Sequence, residues 1–175
     1  MPREIVALLL RQHDLAWRLA SHHLETLSTE ECLWRPSPRG LHVTVSDAGH
    51  WEGEWPDHEG YDLGPPSIAW LIWHMVYWWT TVIERSFGDA SPDQSEVACP
   101  DTSDAIRSWL ASLHEKWQEC LGGLTDDDLR STKRTKWPFE HRPFGDVAAW
   151  VNIELTKNAS ELGYARFLYA TRAAD

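Results

Sequence analysis

The chain of 175 residues is 42 % hydrophobic and 25 % charged, a composition typical of a single globular domain, taken here as residues 1–175. Its formal charge of −11, with no extended cluster of lysine and arginine, argues against binding to nucleic acid or to an anionic membrane surface. Because the sequence shows neither a signal peptide nor a membrane-spanning stretch, and its three cysteines lack metal-site or disulfide spacing, we expect a cytoplasmic protein.

Helical spacing of apolar residues predicts a first long helix over residues 2–27, with Pro2 at its start. Residues 28–31 (STEE) have the spacing of a capping box, in which a hydroxyl and a carboxylate satisfy each other's backbone N–H groups. They therefore predict a short second helical turn, which the following Trp-Arg-Pro-Ser-Pro segment ends.

Residues 41–55 change from helical spacing to alternation. Leucine and valine alternate with polar residues, and a DAG turn leads to Trp51 and Trp55 on one face of a return strand, which predicts a β-hairpin. Residues 56–66 contain two glycines and a Pro-Pro pair, which are typical of an ordered loop. We expect this insertion, residues 41–66, to act as a lid over a site.

Ser67 predicts the start of a second long helix, which a glycine ends. One face carries four residues at alternating steps of three and four: Leu71, His74, Trp78 and Thr81. His74 is the only group in the apolar first half of this helix that titrates near neutral pH, and it is either a hydrogen-bonded core residue or a ligand in a site. Most of the twelve tryptophans are expected in the core, while Trp70, Tyr77 and Trp78 are candidate pocket walls.

Residues 89–101 are rich in proline, aspartate and serine and predict a linker. A third long helix follows over residues 103–121, and its purely apolar seam indicates a structural role. Thr125 precedes an acidic run that predicts the capped, negatively charged start of a short helical turn. Residues 132–145 show no pattern of regular structure and predict an irregular connection.

The last helix, predicted over residues 146–170, carries polar side chains in the middle of an otherwise apolar face. Alternating steps of four and three place seven residues on this face: Val147, Val151, Glu154, Asn158, Glu161, Ala165 and Leu168. An unpaired buried carboxylate is costly, so such groups are usually paired, bound to a metal or exposed to a cavity. The pattern therefore indicates either a functional site or a satisfied polar network.

Several common catalytic motifs are absent from the sequence: the nucleophile elbow, the phosphate-binding loop, the dinucleotide fingerprint, the H-E-x-x-H motif and the E-x-x-H pair. The candidate metal ligands that remain are His74, Glu154 and Glu161, with Asn158 beside them as a hydrogen-bonding group. One histidine and one or two carboxylates suit Zn²⁺, Ni²⁺ or Fe²⁺ with open coordination positions.

Three segments, LETLSTEECLWRPSP, PPSIAWLIWHMVYWW and NASELGYARFLYA, together resemble the DinB/YfiT-like superfamily of four-helix bundles. The most specific part is the SIxWLxWH pattern of the second long helix, supported by the LSxEExxWRP turn. The resemblance implies an all-α four-helix bundle, in which the hairpin is a small insertion between the first and second long helices. It also implies a divalent metal, which family members often hold by one histidine on the second helix and two on the last.

Characterised relatives in this superfamily are bacillithiol- or mycothiol-dependent transferases and a mycothiol-dependent maleylpyruvate isomerase, so the resemblance implies a low-molecular-weight thiol as partner. His74 matches the family's histidine on the second helix, whereas the last helix contains no histidine. If its ELG segment is aligned with the family's HxG, Glu161 takes the final ligand position and Lys157 the one before it. A shifted register instead places Glu154 and Asn158 at the pair.

Two functions follow from these residues. The first is a divergent metal-dependent thiol transferase, isomerase or hydrolase, in which zinc, nickel or iron is held by His74, Glu154 or Glu161 between the second and last helices. The second is a metal-free protein that binds a small molecule in the same cavity or serves as a dimeric interaction module, with His74 hydrogen-bonded to a carboxylate across the bundle. The resemblance and the tryptophan content also predict a homodimer.

Overall fold

The computed structural model describes residues 3–58, 60–89 and 99–172 of the chain. Its helices, in chain order, are α1 (Glu4–Leu24), α2 (Thr29–Leu33), α3 (Ile68–Phe87), α4 (Ser103–Gly122), α5 (Asp126–Arg130) and α6 (Phe144–Ala170). Its strands are β1 (Val43–Val45), β2 (His50–Gly53) and β3 (Cys99–Pro100), and a 3₁₀ turn spans Tyr61–Leu63. The protein is mostly helical, and the long helices predicted from apolar periodicity are confirmed as α1, α3, α4 and α6.

The long helices pack around a core that is rich in tryptophan. α1 packs against α4 and α6, and α3 packs against the same two helices. Asn152 donates to the Leu9 carbonyl at 3.0 Å and Arg166 donates to the His23 carbonyl at 2.6 Å, so α1 and α6 run parallel. Five indole side chains are almost fully buried: Trp51, Trp73, Trp78, Trp79 and Trp117. None of the helices in the described ranges is long and apolar enough to cross a membrane.

The turn at residues 28–31 starts α2, but its predicted capping box is only half formed. Ser28 Oγ accepts a hydrogen bond from the Glu31 backbone N–H at 3.1 Å, as the spacing predicts. The Glu31 carboxylate instead binds the guanidinium of Arg166 on α6, with 2.8 Å between Oε1 and Nε. A long-range ion pair therefore takes the place of the local return bond.

The acidic run after Thr125 has two separate roles. Thr125 caps the start of α5, as predicted, and Asp128 in the first turn completes a capping box with it. Asp126 is buried, and its carboxylate accepts hydrogen bonds of 3.0–3.1 Å from the backbone N–H groups of residues 4–6. It therefore caps the N-terminus of α1, where the helix dipole favours negative charge. The prediction of a charge cluster covers only the first of these roles.

The predicted hairpin forms part of a three-stranded antiparallel sheet. β1 pairs with β2 through a turn in which Gly49 has a φ of +76°. β2 also pairs with β3, which places Trp51 opposite Cys99. The short strand β3 lies at the end of the linker predicted over residues 89–101, and residues 90–98 of that linker lie outside the described ranges. Trp55, predicted on the return strand, lies beyond the end of β2.

His13 of α1 is enclosed in the core between α3 and α4. Its ring stacks on His114 with 5.1 Å between centroids and meets the edge of Trp79 at 5.4 Å. Its Nδ1 lies 3.2 Å from Gln118 Nε2, while its Nε2 is buried without a partner in the described part of the chain. Burial, with a smaller contribution from His114, lowers the pKa of His13 to about 3.

We expect acid to destabilise the fold through His13. The unfolded chain binds a proton at this histidine below its ordinary pKa of 6.5, whereas the native state leaves it neutral until about pH 3. The free energy of unfolding therefore falls as the pH is lowered through this window. Urea unfolding measured at several pH values should show this fall, with a slope shallower by about one proton in His13→Gln. His58→Gln, at an exposed position, is the control, and an unchanged slope in His13→Gln would contradict the prediction.

Candidate functional site

A cavity of about 510 Å³ lies between α3 and α6, and the loop after β2 covers it. The two helices contribute Trp70, Leu71, His74, Lys157, Asn158 and Glu161. The predicted lid contributes mainly Trp55, Tyr61 and residues 63–66. This volume falls within the range of roughly 300–1,000 Å³ that is typical of small-molecule pockets.

The β1–β2 hairpin, from which the covering loop leads, is attached to the start of α3 by two hydrogen bonds. The indole Nε1 of Trp70 donates to the Glu54 carbonyl at 3.0 Å, just after β2. The backbone N–H of Ser67 donates to the Leu41 carbonyl at 2.8 Å, just before β1. Both ends of the small sheet are thereby tied to the helix that carries His74, which positions the insertion over the cavity.

Asn158 organises the polar end of the cavity. Its side chain is almost fully buried, and its Oδ1 accepts a hydrogen bond of 3.0 Å from the Trp78 indole N–H. Its Nδ2 donates to Glu161 Oε2, also at 3.0 Å. Because the two bonds use opposite ends of the amide, they fix its orientation and hold the Glu161 carboxylate at the cavity wall.

His74 lies beside this network, between two indole rings. Its imidazole stacks on Trp70 with 5.2 Å between centroids and lies 5.4 Å from Trp55. Burial, together with the positive charge of Lys157, lowers its pKa to about 3, against a smaller opposing contribution from Asn158. The imidazole is therefore neutral near pH 7, with one nitrogen as donor and the other as acceptor. Its Nδ1 is buried and has no hydrogen-bond partner among the described residues.

Lys157 and Glu154 form an ion pair at the edge of the site. Lys157 Nζ lies 2.7 Å from Glu154 Oε2, and the two side chains are 46 % and 15 % exposed. Lys157 lines the cavity, whereas Glu154 does not. The ammonium is thus balanced by a carboxylate outside the cavity, while Glu161 inside it accepts a bond from a neutral amide.

The structure brings only some of the predicted site residues together. Those that line the cavity are His74, Asn158, Glu161 and Trp70. Glu154 lies apart from it, and Trp78 reaches the site only through its bond to Asn158. Tyr77 stacks on Trp73, 6.1 Å away, and belongs to a neighbouring aromatic cluster.

The cavity residues that were not predicted as site residues include one charged and two aromatic side chains: Lys157, Trp55 and Tyr61. Lys157 had a signal in the sequence, since the ELG register places it one ligand position before Glu161. Trp55 and Tyr61 lie within the predicted lid, but no spacing rule indicates which side chains of an irregular loop face a cavity.

The profile of the DinB superfamily matches residues 12–162. The chain belongs to the DinB superfamily. Among curated proteins and among solved structures, no match to the chain is found. The matched region contains every helical residue of the cavity, so this DinB-superfamily protein carries its candidate site within the part of the chain that defines the family.

The donor set of this DinB-superfamily protein does not fit the three-ligand metal centre that the family resemblance implies. Of the predicted ligands, only His74 and Glu161 line the cavity, and Lys157, which lies there with them, has no lone pair to offer a metal ion while it is protonated. Glu154 is held by Lys157 outside the cavity. Across residues 3–58, 60–89 and 99–172, no three histidine, cysteine, aspartate or glutamate side chains form a group that suits a metal ion.

Proposed function

We propose that this DinB-superfamily protein binds a small organic molecule in the cavity between α3 and α6 and does so without a metal. The observation that carries the proposal is the composition of the polar end, where His74, Lys157 and Glu161 lie together. When the ELG segment of α6 is aligned with the family's HxG, Lys157 takes one of the positions at which family members hold their metal. We also infer that α1, α3, α4 and α6 form the four-helix bundle that the resemblance implies.

The cavity has the mixed character that such binding requires. Indole, proline and leucine side chains provide apolar walls, and an imidazole, an ammonium, a carboxylate and an amide meet at one end. Asn158 is fixed by Trp78 on one side and Glu161 on the other, so the polar end is ordered by the protein's own contacts. A site ordered in advance loses less entropy when its ligand binds.

A second candidate function is the metal-dependent thiol transferase, isomerase or hydrolase that the resemblance implies. One observation favours it: Nδ1 of His74 is buried and has no partner within the described ranges. Elemental mass spectrometry of protein purified without an affinity tag distinguishes the two candidates. About one equivalent of zinc, nickel or iron supports the second, because one site holds one ion, and metal at background level supports the first.

Filling the cavity is expected to abolish small-molecule binding. Leu63 lines the cavity from the covering loop, so Leu63→Trp places a larger side chain in it without altering either helix. In ligand-observed NMR with a mixture of small aromatic fragments, we expect binding to the wild type and its loss in Leu63→Trp.

The matched control is Leu8→Trp, the same change at a 57 % exposed position on α1. It should bind the fragments as the wild type does. Fragment binding that survives in Leu63→Trp, or that is absent from the wild type, would contradict a ligand site in this cavity.

A further inference from the structure

We infer, on the basis of the proposed function, that the molecule bound in this cavity is an organic cation: an ammonium group carried on an apolar or aromatic body. Two features point to this class of ligand, namely the balance of charge at the polar end and the aromatic rings beside it. The ammonium lies next to the Glu161 carboxylate, and the body lies against the covering loop.

The charge at the polar end is negative once the existing ion pair is counted. Lys157 is paired at 2.7 Å with Glu154, which does not line the cavity. Within the described residues, Glu161 accepts a hydrogen bond only from the neutral amide of Asn158. An ammonium beside Glu161 therefore gains an ionic partner that is not already engaged, whereas a ligand carboxylate has to compete with Glu154 for Lys157.

The imidazole of His74 and the net charge of the chain also favour a bound cation. The neutral imidazole of His74 adds no positive charge and offers one acceptor nitrogen, which suits an ammonium with three N–H donors. The net charge of −11 raises the concentration of cations near the surface and lowers that of anions.

Aromatic rings of the covering loop provide the second contribution. Trp55 is 43 % exposed and Tyr61 is fully exposed, although both line the cavity. Trp70 is only 8 % exposed and one of its faces is covered by the His74 ring, so most of the exposed ring surface at the cavity belongs to the loop. Cations are attracted to the faces of tryptophan and tyrosine rings, most strongly where water is partly excluded. The same rings provide an apolar surface for the body of the ligand.

Three probes with similar bodies test this class of ligand: 2-phenylethylammonium, 2-phenylethanol and phenylacetate, each titrated calorimetrically into the intact 175-residue chain. We expect the ammonium to bind about tenfold more tightly than the alcohol, and the carboxylate to bind most weakly. Glu161→Gln keeps an acceptor for Asn158 but removes the charge, so the ammonium and the alcohol should then bind within about twofold of each other. Glu119→Gln, which removes the same charge from an exposed position on α4, should keep the preference.

Equal or tighter binding of the alcohol or the carboxylate, or an ammonium preference that persists in Glu161→Gln, would overturn the inference and leave the small-molecule cavity in place. If none of the three probes binds while the aromatic fragments do, the inference is likewise overturned and the cavity remains a small-molecule site. If neither the probes nor the fragments bind the wild type, the proposed function itself is wrong. Thermal unfolding of Glu161→Gln establishes that the variant is folded.

Discussion

Arg166→Met is expected to lower the free energy of unfolding by about 3 kcal/mol, because it leaves the buried Glu31 carboxylate without its partner. Arg166 binds Glu31 at 2.8 Å, and its other nitrogens donate to the His23 carbonyl and the Thr26 hydroxyl. The Glu31 side chain is only 8 % exposed, so water replaces the lost contact poorly. For a chain of this size, the change corresponds to a fall in Tm of about 6–12 °C in a thermal unfolding experiment.

The matched control for this prediction is Arg18→Met on α1. The Arg18 side chain is 72 % exposed and pairs with Asp14 four residues away, so its loss should change the free energy of unfolding by no more than about 0.5 kcal/mol. Glu31→Gln combined with Arg166→Met should recover part of the stability, because no charge is then left buried. Equal stabilities of Arg166→Met and Arg18→Met would contradict the role assigned to Arg166.

Asn158→Ala is expected to lower the free energy of unfolding by about 2–4 kcal/mol, since it removes two hydrogen bonds and leaves a void. The Trp78 indole N–H then lies buried without an acceptor, and Glu161 loses the donor that holds it at the cavity wall. Urea unfolding followed by far-UV circular dichroism measures the change. The variant should also bind the aromatic fragments more weakly, because the polar end is no longer ordered.

Thr156→Ala is the control on the same helix. Thr156 lies at an exposed position and its hydroxyl donates to the Asn152 carbonyl one turn earlier, so its loss should be nearly neutral. Trp78→Phe removes the indole donor, and in that background Asn158→Ala should cost about 1 kcal/mol less than in the wild type. Additive effects of the two changes would show that the Trp78–Asn158 bond does not stabilise the fold.

Local patterns predict the helices of this protein better than they predict its caps. Each long helix buries one face, so apolar residues recur at helical spacing within its own sequence. Distant residues complete the start of α1 and replace half of the capping box of α2: Asp126 reaches the start of α1 from 120 positions away, and Arg166 reaches Glu31 from 135. Contacts of this kind leave no periodic signal, and for the same reason the pairing of β3 with β2 was not predicted.

The polar middle of α6 predicts the site only in part. Asn158 and Glu161 line the cavity, whereas Glu154, on the same predicted stripe, pairs with Lys157 away from it. Helical spacing indicates which residues share a face roughly 100° wide, but it does not indicate which edge of that face meets α3. The position of Lys157 at the cavity therefore emerges only when the two helices are placed side by side.

The central claim is that the cavity between α3 and α6 binds a small molecule without a metal. The most direct test is a calorimetric titration with 2-phenylethylammonium of protein treated with a chelator and verified free of zinc, nickel and iron. We predict saturable binding at one site, unchanged when any of these metals is restored. Binding that appears only after one equivalent of metal is added would contradict the claim and support the metal-dependent alternative at His74 and Glu161.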